Sequence, residues 1–218
     1  MSEFSRYRVA TGTEGEFEPG SRRQVLRNRL GIVQKRAMDR AEFMALLAAQ
    51  QRYVEILSQD TRFTSTLLRR MHRDWLGPIY PWAGRYRTVE LAKGGFHWPP
   101  ARLVGRNMAR FSATTLRRHT PCRPGMVVDV ARRLAEVHAE LLLIHPFREG
   151  NGRLARWLAD LMALQAHLPS PAYGFQGRGA TARKRTYLKA VQQGYLGDYD
   201  LLVRFFAEAL ARAADNIR

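Results

Sequence analysis

Apolar side chains recur at steps of three and four along most of this chain, the repeat of helices that turn one stripe toward a core. Phe43, Leu46, Leu47, Val54 and Leu57 mark a helix over about residues 36–59. A second is expected over 62–75. Leu76-Gly77-Pro78 stops it, because Gly77 can take the closing turn and Pro78 cannot continue a helix. The spacing returns over 101–118 and over 127–144, where Val130, Leu134, Val137, Leu141 and Ile144 repeat, and again from Asn151 to about Ala166. A Pro- and Gly-rich loop over 168–179 leads to helices expected at 182–193 and 198–213.

The period changes once. Tyr86-Arg87-Thr88-Val89-Glu90-Leu91 is the best strand candidate in the chain. Lys93-Gly94-Gly95 offers a tight turn, Phe96-His97-Trp98 a returning strand, and Pro99-Pro100 its end. A lone hairpin is marginal unless it packs on something. Residues 1–22 lack periodicity and carry turn-like stretches at Thr11-Gly12-Thr13-Glu14-Gly15 and Pro19-Gly20-Ser21. There is no internal repeat. The expected organisation is an N-terminal arm over 1–18, one all-α domain with a small β-hairpin over 19–213, and a tail over 214–218.

Composition narrows the function classes. With 218 residues, 45% hydrophobic and 25% charged, the chain has ordinary globular usage and enough length for a core. Its formal net charge of +17, nearly all from arginine, favours acidic partners. Cys122 stands alone, so no internal disulfide and no cysteine metal cluster can form, which suits a reducing compartment. No apolar run reaches the ~18 residues of a membrane span. Met1-Ser2-Glu3-Phe4-Ser5-Arg6 lacks the apolar core of a signal peptide, so a cytoplasmic place of synthesis is expected, with delivery elsewhere left open.

Most of the chemical information lies in Ile144-His145-Pro146-Phe147-Arg148-Glu149-Gly150-Asn151-Gly152-Arg153-Leu154-Ala155-Arg156. An apolar helix ends at Ile144 and another begins near Gly150-Asn151. Gly150, Asn151 and Gly152 leave backbone N–H groups bare at a helix start, where the dipole also favours an anion such as phosphate. Arg153 and Arg156 share one helix face and can fork onto phosphate oxygens. Glu149, just before this nest, is placed to hold Mg2+ beside bound phosphates. His145 is the natural group to take a proton from an incoming hydroxyl near neutral pH. Phe147, apolar between charged neighbours, anchors the loop. Base, metal ligand, anion nest and arginine clamp together make a phosphate-transfer site. One at a time each residue is better read as structural; in this order within twelve residues, they are not.

The string is similar to the signature of the Fic/Doc superfamily, His-Pro-Phe-x-(Asp/Glu)-Gly-Asn-Gly-Arg-x-x-Arg, and matches it at every defined position. Pro19-Gly20-Ser21 with Val25–Ile32, Ile79–Gly84 with Arg87-Thr88-Val89, and Gly197–Leu202 resemble other family segments, so the resemblance covers about residues 19–210. It implies a Fic-type helical bundle with a β-hairpin flap, and a protein adenylyltransferase that moves AMP from Mg-ATP onto a Tyr, Ser or Thr hydroxyl. In that reading His145 is the base, Glu149 holds Mg2+, Gly150, Asn151, Gly152, Arg153 and Arg156 bind the nucleotide, and Phe147 anchors the loop. Arg87, Thr88, Val89, Lys93, Gly94, Gly95 and Phe96 form the flap that docks the target by strand addition. Gly152, where phosphorylating relatives usually carry Lys, favours nucleotide transfer.

Family inhibitory helices read (Ser/Thr)-x-x-x-Glu-(Gly/Asn). Glu14-Gly15 and Glu149-Gly150 supply the second half, but Ala10 and His145 stand where the hydroxyl residue is needed. The resemblance leaves two readings: the preferred one, a separate small antitoxin that supplies such a helix, as in the toxin–antitoxin branch, where known targets include type II topoisomerase subunits, and an unrestrained enzyme delivered elsewhere. The alternatives are a Fic-fold phosphotransferase or a transferase using another nucleotide donor and, from a different class, a basic nucleic-acid-binding protein. The last leaves the intact loop unexplained. His97 and Trp98 are read as flap packing with nucleotide or target contact as the alternative, and Tyr187, Tyr195 and Tyr199 as packing with self-modification as the alternative.

Overall fold

In the computed structural model, residues 13–216 are described. Their elements run in order as α1 (Lys35–Ile56), α2 (Ser65–Leu76), β1 (Ala92–Lys93), β2 (Phe96–His97), α3 (Val104–Phe111), a π-helical turn (Ser112–Leu116), α4 (Arg117–His119), α5 (Val127–Ile144), α6 (Asn151–Gln165), α7 (Ala180–Gly194) and α8 (Asp200–Asp215). The expected helices are all present, and the two strands pair antiparallel, Ala92 with His97 and Lys93 with Phe96. The chain divides into two compact units, one of residues 13–56, 65–109 and 144–151, the other of 57–64, 110–143 and 152–216.

In the first unit, α1 packs on α2. Its buried face is Met38, Glu42, Ala49 and Tyr53. Glu42 is paired despite burial: its carbonyl accepts from Trp75 Nε1 at 2.9 Å and its carboxylate from the Tyr80 hydroxyl at 2.5 Å. The Tyr53 hydroxyl donates to Asp74 at 2.8 Å. The periodicity of α1 therefore points the wrong way. Phe43 is 58% exposed, Leu47 40% and Val54 57%, so much of the stripe read from the sequence lies on the outer face. The inner face is chosen by partners on α2 and the turn after it, which no local pattern encodes.

The hairpin is shorter than the sequence suggests. Residues 86–91 are not a strand, although Trp98 N still donates to Leu91 O at 3.1 Å. Their polar groups are used elsewhere: Arg87 N donates to Pro146 O at 2.9 Å and Thr88 N to the Glu14 carboxylate at 3.1 Å. The turn matches the sequence. Gly94 and Gly95 take φ of 56° and 82°, the two positive angles that a two-residue hairpin turn of the right twist requires. Residues 13–18, expected to belong to a free arm, are tied down. Glu14 is buried, and Phe17 pairs with Leu26 in an isolated bridge. Residues 1–12, the rest of that arm, lie outside the described residues.

In the second unit, α5, α6 and α8 contribute an apolar core that includes Leu134, Val137, Leu158, Met162, Phe206 and Leu210. Polar side chains tie its loops. Gln165 receives Cys122 N at 2.9 Å and donates to Thr61 O at 2.7 Å, and the Thr120 hydroxyl accepts from Phe63 N at 3.1 Å. Among the described residues, no helix is long and apolar enough to cross a membrane.

Candidate active site

His145 follows the last residue of α5 and takes φ of 50°, a left-handed conformation uncommon for a side-chain-bearing residue. Such backbone persists only where its surroundings dictate it. Here Arg87 does so. Its buried guanidinium donates to His145 O at 2.8 Å, Val89 O at 2.9 Å and Pro99 O at 2.6 Å. Burial holds the pKa of Arg87 below its ordinary value, opposed by the nearby Glu90 and Glu14. Arg87 is thus a clamp on the loop's backbone. Of the residues expected in the docking flap, the Arg87 and Val89 side chains are buried, Thr88, Lys93, Gly94 and Gly95 are exposed and Phe96 is half-buried.

The next residues are fixed by paired hydrogen bonds. Asn151 closes a ring on Phe147: its Oδ1 accepts from Phe147 N at 2.9 Å and its Nδ2 donates to Phe147 O at 2.7 Å. Phe147 is fully buried and stacks on His72 with ring centroids 3.9 Å apart. His72 has one consistent tautomer. Gly84 N donates to its Nδ1 at 2.9 Å, so the proton sits on Nε2, which donates to Glu149 O at 3.0 Å. Arg148, also buried, donates from Nε to Glu14 O at 2.8 Å.

Glu149 is half-buried and its Oε1 accepts from Gly150 N at 3.0 Å. Gly150 has φ of 85°, and a Cβ there would stand 2.9 Å from the Trp75 ring. Only glycine fits on both counts. The His145 ring lies against Trp98, centroids 4.1 Å apart. His145, Phe147, Glu149, Gly150 and Asn151 therefore share the first unit, held by Arg87, His72, Arg148 and Trp75. None of these four was assigned that role from the sequence. Arg87 sits fifty-eight residues upstream of His145, and His72 is one polar residue on an amphipathic helix, so neither carries a local signal.

Gly152, Arg153 and Arg156 lie in the first turns of α6, within the second unit. The Arg156 guanidinium stands 5.7 Å over the Phe175 ring, a cation–π distance. One turn on, the Asp160 carboxyl is pushed up to about 7, chiefly by burial, against the pull of Tyr173 and Arg156. The Tyr173 hydroxyl lies 2.8 Å from Asp160 Oδ1 and 3.1 Å from Arg156 O. One proton cannot serve two acceptors fully. The charged form of Asp160 accepts from Tyr173, and its protonated form, half populated near neutral pH, relieves the competition by donating to Tyr173 while Tyr173 donates to Arg156 O. Asp160, four residues after Arg156 on the same face, is the one supporting residue here that helical spacing could have found.

The other tyrosines have partners. The Tyr187 hydroxyl meets His138 Nε2 at 2.7 Å, that of Tyr199 meets Glu140 at 3.0 Å, and that of Tyr195 meets Leu142 O at 3.4 Å. Tyr187 is buried, which removes it as an accessible acceptor. Among the described residues no group of three or more His, Cys, Asp or Glu could hold a metal. A lone carboxylate such as Glu149 suits Mg2+ only where phosphate oxygens and water complete the shell.

Residues 62–163 match the model of the Fic/DOC family. The chain is 27% identical over 197 residues to a protein adenylyltransferase Fic of Nematostella vectensis, an alignment covering 88% of this chain and 43% of that protein. It is 24% identical over 201 residues to a probable protein adenylyltransferase Fic of Escherichia coli K12, covering 88% and 90% respectively. It thus spans less than half of the first relative and nearly all of the second. Among solved structures, the BepC effector of Bartonella tribocorum with bound AMPPNP superimposes with a TM-score of 0.70 at 17% identity, covering 90% of this chain and 96% of that one. The fold is that of the Fic domain.

Proposed function

We propose that this chain, a member of the Fic/DOC family, is an enzyme that transfers AMP from Mg-ATP to a Tyr, Ser or Thr hydroxyl of a target protein. The observation that carries this is the intact loop from His145 to Arg156. Its first residue is fixed in a left-handed backbone by the Arg87 clamp, as an aimed catalytic side chain requires. The relatives named adenylyltransferases and the nucleotide-bound BepC structure support ATP as co-substrate.

In the reaction the target hydroxyl oxygen attacks the α-phosphorus, its proton passes to the His145 imidazole, and the bond to pyrophosphate breaks. The backbone N–H groups of Asn151 and Gly152 donate to phosphate oxygens, joined by that of Gly150 once phosphate displaces its bond to the Glu149 carboxylate. Asn151 contributes only its backbone, because its side chain is spent on Phe147. Arg153 and Arg156 offset phosphate charge. Mg2+, held by Glu149 and phosphate oxygens, would supply further charge neutralisation. The exposed hairpin tip, Lys93 to Gly95 with half-buried Phe96 beside it, docks an extended target segment through main-chain hydrogen bonds.

The protein acts as a cytoplasmic toxin, restrained by a separate antitoxin that supplies the helix this sequence lacks, with a type II topoisomerase subunit among the candidate targets. The domain runs from about residue 13, where Glu14 receives Thr88 N and Arg148 Nε, to about 213. The test is incubation of purified protein with Mg2+ and ATP labelled on the α-phosphate in a bacterial lysate, beside His145→Ala. Labelled protein that disappears in the variant is the expected result. Label transferred only from the γ-phosphate would instead make the chain a phosphotransferase and overturn the proposal.

A further inference from the structure

Arg156 belongs to a helix that places its backbone, yet four rotatable bonds separate that backbone from the guanidinium. The second unit builds a surround for the far end. Phe175 lies under the guanidinium at 5.7 Å. Phe175 is itself held between Tyr173, stacked at 5.7 Å, and Tyr187 at 5.1 Å. Tyr173 pins this loop to α6 through the Arg156 carbonyl and Asp160. Tyr187, buried on α7, turns its hydroxyl toward the same guanidinium, whose charge and hydrogen bonding oppose the upward push of burial on its pKa. Behind Tyr187 stands buried His138 on α5, with Nε2 at 2.7 Å.

Donor bookkeeping fixes the direction of this chain. A guanidinium has only donors, so the Tyr187 oxygen facing it accepts. The single Tyr187 proton is then free to go to His138, which must offer the lone pair of Nε2. His138 can do so because burial and the Arg156 charge push its pKa down to about 3, leaving the ring neutral at any ordinary pH. The order is therefore Arg156 to Tyr187 to His138.

We propose that Tyr187, backed by His138 and flanked by Phe175, is a positioning residue that sets the Arg156 guanidinium in place before a phosphate arrives. This rests on the reading of Arg156 as a phosphate clamp. A long side chain ordered in advance loses less freedom on binding, so the arrangement strengthens phosphate capture without touching the nucleotide.

The test is calorimetric binding of Mg-AMPPNP and, separately, of adenosine, which has no phosphate. Tyr187→Phe keeps the buried ring and removes only the hydroxyl. Its expected effect is a roughly two- to tenfold weaker Mg-AMPPNP affinity, the range for one lost hydrogen bond, with adenosine affinity unchanged. In an Arg156→Ala background the same substitution should cost nothing further. Phe175→Leu, which keeps an apolar side chain on the loop, should behave likewise and stands in if Tyr187→Phe does not fold. Unchanged Mg-AMPPNP affinity in both variants overturns the proposal. So does an equal loss for adenosine, or a loss that persists without Arg156. If the unsubstituted chain binds no Mg-AMPPNP, or Arg156→Ala binds it normally, the nucleotide reading of the loop fails first and the role of Tyr187 falls with it.

Discussion

From residue 145 to 151 the loop is held by its backbone. Arg87 fastens His145 O, Asn151 closes on Phe147, His72 takes Glu149 O, and Trp75 lies where any side chain at Gly150 would go. From Gly152 to Arg156 the backbone is plain helix, and the functional ends are governed by side-chain surroundings: an aromatic ring, a buried tyrosine and a carboxyl whose charge is suppressed. The contrast follows the proposed chemistry. A base must be aimed to within a fraction of an ångström of a moving proton, which calls for fixed backbone. An arginine that meets phosphate oxygens by forked hydrogen bonds needs a prepared rotamer and tolerates more adjustment.

This difference yields a graded set of expectations. His145→Ala should show the largest effect, lowering AMP transfer by about 10²- to 10⁴-fold while Mg-AMPPNP still binds. Transfer within threefold of the unsubstituted rate would remove His145 as the base. Arg87→Lys comes next. A point ammonium cannot reach three carbonyls arranged for a guanidinium, so urea unfolding should report a loss of about 3 kcal/mol or more. A loss below about 1 kcal/mol would mean the loop does not depend on that clamp.

Gly150→Ala should follow at roughly 2–3 kcal/mol, combining a positive φ with the approach to Trp75. Thermal melts across pH would measure it, and a neutral outcome would show that the Trp75 ring moves aside freely.

The smallest expected change has the opposite sign and lies at the other end of the loop. The folded Asp160 carboxyl titrates near 7, above its unfolded value of 3.8, so its neutral form is favoured in the fold. It costs nothing below pH 4, costs progressively more between pH 4 and 7, and costs the full amount above 7. Asp160→Asn keeps a donor toward Tyr173 and removes that cost. It should stabilise the protein by about 2 kcal/mol at pH 5 and by almost nothing at pH 3. Equal stability of the two proteins at both pH values would show that Asp160 carries its charge at no cost.

The last helices and the chemical loop were legible because their information is local. Helical repeats such as Val130, Leu134, Val137 and Leu141 report burial directly when one face meets a deep core, and those residues are buried. The dozen residues of the loop carry their pattern in consecutive order. On α1 the same repeat misled, because a helix at the edge of a unit is oriented by particular partners, here Trp75 and Tyr80 on Glu42, and its apolar outer face goes unpunished locally.

The sequence by itself determined the helical architecture, the glycine turn of the hairpin and the candidate residues from His145 to Arg156, because periodicity, turn chemistry and motif order are properties of neighbouring positions. Only the tertiary structure decided that Arg87 clamps the loop, that residues 86–91 give up a strand ladder, and that Arg156 rests on Phe175 beside Tyr187. Each of those outcomes depends on which distant group satisfies a buried hydrogen-bonding atom or charge. That choice is made when remote segments are brought together, and nothing in a local stretch of residues specifies it.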